Sequence, residues 1–383
     1  VIWGKIIGAI FIVGLCLMFG FVAVVFVSLM GGFKFYAPFI VFVTIGVIFL
    51  SLNAIFKFAR EKIVKVASIS FLSICILAVA VYETIEAYHN NIGTVNAEVN
   101  LYKYHPFAEN SKVVSLPEAS TMTLEGELPI LDGATALYPL YSAFVKSIYP
   151  EKDYDLYNSE VMSSKTDEAY RKLLNGEVDM IFAAGPSDFH LRQAEHKGIE
   201  LQLTPIGKEA FVFFVNAKNP VESLTIEQIQ RIYSGEVTNW QEVGGNHASI
   251  RAFQRPANSG SQTALERLMG EKELMTPPKE DIVSGMGGII SETSRYRNYK
   301  NAIGYSFRFF STEMIQNGEI RHLKINGVFP SKETIRSGEY PITSEFYVIT
   351  AGSENPHIDT FIDWILSEQG QYLVEATGYV PVK

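Results

Sequence analysis

The chain opens with three uncharged apolar stretches, at 6–30, 35–56 and 66–82. About 20 apolar residues in a helix cross the hydrocarbon core of a bilayer, so the first two runs predict membrane-spanning helices and the third lies near the short limit. Pro38 falls in the first turn of the second run, where a missing backbone N–H costs little. Between 83 and 127 the periodicity fades and Asn, Ser, Thr and Glu are frequent. That stretch predicts a stalk, with a short helix continuing the third span, that keeps the next domain clear of the lipid headgroups. From 128 onward short apolar runs alternate with amphipathic segments. Strands are predicted at 129–133, 178–183 and 210–215, and helices at 138–148, 166–174 and 224–233. Strands alternating with helices predict an α/β fold with parallel or mixed sheets. Functional positions in such sheets lie at strand ends, where loops meet helix N-termini.

Charge is distributed unevenly along this plan. The first 82 residues carry six Lys or Arg and one acid, a net +5, against −9 for the whole chain, so the remainder is near −14. An acidic body on an apolar, slightly basic head argues against nucleic acid as a partner. The only basic cluster, Lys57, Arg60, Lys62 and Lys65, joins the second and third apolar runs. The positive-inside rule places it in the cytoplasm, with the N-terminus also inside, the turn at 31–34 outside, and everything after Tyr82 extracellular. The opposite orientation would export the basic loop. Both cysteines, Cys16 and Cys75, lie within apolar runs, which excludes Cys-rich zinc sites from the body and leaves it without disulfides. Cys16 as a lipid attachment site is the weaker reading, because Leu15 is large for the usual cleavage position and the apolar run continues past it. A cleavable signal peptide is also weaker, since the first apolar core is long and further spans follow.

Several strand–helix junctions in the body carry small hydroxyl residues. Thr135 and Ala136 follow the first predicted strand, Ser163, Ser164 and Thr166 precede the helix at 166–174, and Arg255, Ser259, Gly260 and Ser261 precede a helix at 264–269. Helix N-termini present unpaired N–H groups and partial positive charge, so several converging on one cleft would bind an oxyanion. Hydroxyls add donors, glycine lets the backbone approach, and arginine supplies a fork matched to phosphate geometry. Taken singly, each such junction is more often an ordinary N-cap. The seven histidines show no metal-binding spacing, and no nucleophile elbow or P-loop is present. No cofactor and no enzymatic activity are expected.

With these features on the page, the region 128–383 resembles the phosphate-binding subunits of ABC importers. The most specific block is 224–245, in which Tyr233 and Trp240 correspond to packing residues. The Arg255, Ser259, Gly260, Ser261 loop keeps the family's spacing, and Asn301–Tyr305 and Gly378–Pro381 are further marks of the family. The resemblance implies a two-lobed, hinged periplasmic-binding-protein fold of type II behind a three-helix anchor at 1–82 and a stalk at 83–127. One lobe would hold about 128–203 and 342–383, the other about 211–328. By position, Thr135, the Ala136 N–H and Ser164 would touch the anion from one lobe, and Arg255, Ser259, the Gly260 N–H and Ser261 from the other. Two departures stand out. Ala184 occupies the place of the family's aspartate, and Ala257 stands where an acid often neighbours the ligand arginine. Loss of that aspartate predicts weaker discrimination of phosphate from sulfate unless a group such as Asp132 or Asp188 replaces it.

The resemblance implies a membrane-tethered extracellular protein that captures phosphate or a similar inorganic oxyanion for ABC permease subunits, with membrane lipid around its anchor. A sensor is the alternative, motivated by three spans where one tether suffices for delivery: the same domain would signal an anion to a membrane or cytoplasmic partner.

Overall fold

The computed structural model describes residues 2–29, 35–90, 94–96, 99–276, 295–297, 300–314 and 319–382. The turn expected at 31–34 lies outside them. Two compact units divide at Ile92 and Gly93.

The first unit is three helices, α1 (Ile2–Leu29), α2 (Tyr36–Phe56) and α3 (Glu61–Asn90). Each is long and apolar enough to cross a membrane, the third over Glu61–Ile85. The third is therefore longer than the apolar run at 66–82 implies. Its first five residues include the charged Glu61, Lys62 and Lys65, which an apolar-run count leaves out, and at 1.5 Å per residue the 30-residue helix is about 45 Å long. Small residues set the packing. A side chain on Gly20 would strike Thr44, and one on Gly46 would strike the Phe71 ring, so at these glycines a neighbouring helix's side chain packs directly against the backbone. Asn53 closes the turn between α2 and α3: its side chain accepts from the Ala59 N–H at 2.9 Å and its carbonyl from Lys57, which is left-handed at φ 52°.

The second unit is built on an eight-stranded mixed sheet. Its strands are β1 (Leu131–Gly133), β2 (Met180–Ala184), β3 (Gln202–Asn216), β4 (Arg251–Ala252), β5 (Ala302–Phe307), β6 (Ile320–His322), β7 (Thr343–Thr350) and β8 (Val380–Pro381). The path is β1-β2-β7-β3-β5-β4, with β6 and β8 also pairing β3. β1 and β2 are parallel, as are β4 and β5, whereas the three central pairings are antiparallel. Helices α4 (Tyr138–Ile148), α5 (Thr166–Leu174), α6 (Asp188–Lys197), α7 (Ile226–Tyr233), α8 (Gly260–Met269), α9 (Lys332–Arg336), α10 (Ile358–Ile365) and α11 (Glu368–Thr377) cover it.

Alternation along the strands sorts residues between layers. In β2, Met180 and Phe182 enter a core shared with α4, α10 and α11, while Ile181 and Ala183 face Ala169, Tyr170 and Leu173 of α5. A separate core gathers Phe211, Phe213, Ile229, Trp240, Leu265, Tyr305 and Tyr340. Two lobes result, each with its own apolar interior.

The strand β3 runs through both lobes. Its first half pairs with β7 and its second with β5 and β6. Sequence periodicity predicted only 210–215, because Pro205 and Gly207 interrupt any strand pattern upstream. Pairing with β7 extends the strand, and the register shift between Phe346 and Tyr347 falls where Pro205 lacks an N–H to give. The lobe boundaries move accordingly: Ile335 and Tyr340 belong to the second core, and Ile206 and Phe309 to the first.

The segment expected to be a stalk is largely folded. α3 runs on to Asn90, and between 101 and 127 the buried Val113 and Leu124 enter the first core, with Leu101, Tyr104 and Phe107 against it. His105 anchors it, its Nε2 lying 2.8 Å from the Tyr154 carbonyl oxygen. Apolar residues spaced this irregularly carry no helical or strand period, so only tertiary packing reveals that they are buried.

Candidate functional site

A cavity of about 240 Å3 opens between the two lobes. Three chain segments form its polar end. The first is Thr135 and Ala136, in the short 3-10 turn Thr135–Leu137 that runs directly into α4. Tyr379 fixes that turn by donating to the Ala136 carbonyl. The Thr135 side chain is buried and has no hydrogen-bond partner among the described residues.

The second segment is the loop from Arg255 to Ser261. Ser259 caps α8 by accepting from the Gln262 N–H, so the helix begins at Gly260, four residues before the sequence pattern shows it. The N–H groups of Gly260 and Ser261 are therefore first-turn donors with no intrahelical acceptor. A buried network holds the loop: the Arg255 N–H is 3.0 Å from Gln262 Oε1 and 2.9 Å from the Tyr305 hydroxyl. The Arg255 guanidinium has no ion-pair or hydrogen-bond partner among the described residues, and its Nε is buried. Burial disfavours its charge and lowers its pKa.

The third segment leads into α5, and here the structure departs from expectation. Ser164 does not line the cavity. Its N–H donates to Asp132 Oδ1 at 2.7 Å and its hydroxyl to Oδ2 at 2.5 Å. Asp132 is fully buried and also pairs with Lys172 at 2.9 Å, so it acts as a structural hub and has no capacity left for a ligand. Lys165 and Thr166 face the cavity instead. Lys165 adopts φ 77° and ψ 165°, a region in practice reserved for glycine, at an N-cap position that it does not cap. Burial lowers its pKa, and the nearby Arg255 charge adds to the effect. No carboxylate pairs with it among the described residues. Thr135, Ala136, Arg255, Ser259, Gly260 and Ser261 all line the cavity, as does Ala184.

Sequence reading also missed the acids. Glu209 on β3 lines the cavity, is 6% exposed, and accepts from the Phe309 N–H. Burial pushes its pKa up to about 8, against the lowering influence of that N–H and of Arg308. Asp167 is held by His190 at 2.9 Å and Glu345 by the Tyr347 hydroxyl at 3.1 Å. Asp188, one of the two candidates to replace the missing aspartate, is not on the cavity. The lobes already touch at one side of the mouth: Arg267 donates to the Pro186 carbonyl at 2.6 Å and Ser187 to Asn258 Oδ1 at 3.1 Å.

A family model for the PBP superfamily domain matches residues 130–369, which span both lobes and all three cavity segments. The chain belongs to the PBP superfamily. It is 27% identical over 282 residues to the phosphate-binding protein PstS of Borreliella burgdorferi, covering 72% of this chain and 92% of that one. It is 26% identical over 258 residues to the phosphate-binding protein PstS of Bacillus subtilis, covering 66% and 80%. Among solved structures, a substrate-binding protein of the phosphate ABC-transporter type from Clostridium perfringens, with phosphate bound, superposes with a TM-score of 0.52. At 24% identity, covering 66% of this chain and 98% of that one, this likeness speaks to the fold. The two-lobed α/β architecture expected from the resemblance is the one observed.

Proposed function

We propose that the chain captures phosphate or a similar oxyanion in the interlobe cleft and passes it to an ABC importer, tethered to the cell membrane by α1–α3. The observation that carries this reading is the Arg255 guanidinium, buried without a counterion among the described residues and set beside the first turn of α8, with Thr135 and Ala136 on the facing lobe. Lys165 doubles the positive charge of this pole. The two PstS relatives, both named as phosphate-binding proteins, support the choice of anion. The basic loop Lys57–Lys65 supports an inside N-terminus and an extracellular binding domain. It is a binding protein rather than a catalyst. Three spans rather than one keep the sensor alternative open, and permease and ATPase genes beside this one, as opposed to a kinase or regulator, would separate the two.

Calorimetric titration of the full chain in detergent with inorganic phosphate tests the reading. Arg255→Ala should weaken binding by roughly 30-fold to several-thousand-fold, the usual range when one partner of a buried charge pair is removed (about 2–5 kcal/mol). Arg255→Lys should restore only part of it, because an ammonium lacks the planar fork. Unchanged affinity in Arg255→Ala would remove this site from consideration.

A further inference from the structure

The donors sit at one end of the cavity. The rest of its wall carries Asp167, Glu209, Ser306, Ser344 and Glu345, and beside them an aromatic surface that a bare inorganic anion does not use. Phe307 on β5, Phe310 in the following turn and Phe346 on β7 all line it, as do Leu137 and Ala184. Phe310 is the most telling, because it is 7% exposed yet belongs to none of the three apolar cores. Phe307 adjoins the anion pole: a side chain on Gly260 would lie 3.8 Å from its ring. Aromatic faces offer an oxyanion no donors, and desolvating its oxygens against them is unfavourable.

Size points the same way. The lobes are bridged by Arg267 and Ser187, and a side chain on Gly260 would lie 3.7 Å from the Ala184 methyl, so the volume is not that of a gaping cleft. An apolar cavity of about 150 Å3 accepts benzene. The cavity here, at about 240 Å3, therefore has room for a ring-sized group beside a phosphoryl group.

We propose that the preferred ligand is a phosphoryl group bearing an organic substituent, its oxygens held by Arg255, Lys165 and the α8 N-terminus and its substituent lying against Phe307, Phe310 and Phe346. This rests on the oxyanion reading of the same cleft. A phosphate monoester and a phosphonate share the required chemistry, differing only in an ester oxygen or a direct carbon–phosphorus bond.

The test is calorimetry on the full chain with inorganic phosphate, methylphosphonate, phenylphosphonate and phenyl phosphate under one buffer and salt. Affinity should rise from phosphate through methylphosphonate to a phenyl compound by at least tenfold. The stronger of phenylphosphonate and phenyl phosphate identifies the linkage. Phe310→Ala should cost the phenyl ligand about tenfold and leave phosphate within twofold, whereas a uniform loss would overturn the placement on Phe310. The wild-type series stands by itself should that variant not fold. Phosphate binding as tightly as either phenyl compound would overturn this inference and leave phosphate capture intact. Failure of all four to bind would overturn both.

Discussion

Lys165 pays for its position in backbone strain, and that makes it a sharp test of the site. A non-glycine residue at φ 77°, ψ 165° costs about 1–3 kcal/mol relative to an unstrained conformation. Lys165→Gly removes that cost, but glycine's freer unfolded state returns about 0.4–1 kcal/mol to the unfolded side. The ligand-free variant should thus be more stable by about 1 kcal/mol, or roughly 2–4 °C in the melting temperature of a domain this size. The same change deletes an ammonium from the anion pole. A hydrogen bond to a charged group contributes about 1.5–3 kcal/mol, so phosphate affinity should fall roughly 10- to 150-fold. Lys165→Ala separates the two effects, because it loses the amine and keeps a side chain on the strained backbone: affinity falls and stability does not rise. Thermal melts of the ligand-free full chain in detergent, with phosphate titrations at constant salt, give both readouts. If Lys165→Gly melts lower than wild type while binding phosphate equally well, the lysine is a structural residue and its place in the site is wrong.

Other expectations follow from the cleft and the anchor. Glu209 has a folded pKa raised from the ordinary 4.5 to about 8, so its stabilising contribution is complete below 4.5 and lost as pH climbs through that window. Glu209→Gln should flatten the pH dependence of stability between those values, and an unchanged melting profile from pH 5 to pH 9 would refute the assignment. Ala184→Asp should sharpen selection of phosphate over sulfate, since a carboxylate accepts the proton that phosphate carries and faces only acceptors in sulfate, a mismatch of about 1–3 kcal/mol or more. Competition calorimetry with both anions decides this, and strong phosphate selectivity in the wild type would mean that Glu345, which also lines the cavity, already fills the role. Protease added to intact cells should release a soluble fragment that begins between Glu83 and about residue 100, because the chain from Leu101 onward packs into the first lobe. Protection of that fragment until the membrane is broken would reverse the orientation.

Local signals in the chain were sufficient for much of this architecture. Three apolar runs become three helices because a helix satisfies every backbone group within its own segment, which a long apolar stretch needs wherever water is excluded. The helices Tyr138–Ile148 and Thr166–Leu174 begin and end where amphipathic period, Pro139 and the acidic and basic ends of α5 place them. The loop at Arg255–Ser261 was visible as an anion motif because its chemistry is local: a helix N-terminus, a glycine and a fork-shaped cation. What tertiary structure decided is everything that depends on a distant partner. The first half of β3 exists because β7 pairs with it across a Pro205 and Gly207 stretch that no strand pattern marks. Val113 and Leu124 are buried because the first lobe, folded from residues farther along the chain, supplies the apolar surface. Ser164 and Lys165 are adjacent in sequence, yet the buried Asp132 takes the serine and turns the lysine toward the cleft. Which neighbour faces the ligand is set by that carboxylate's demand for donors, a long-range constraint that has no signature in the spacing of residues along the chain.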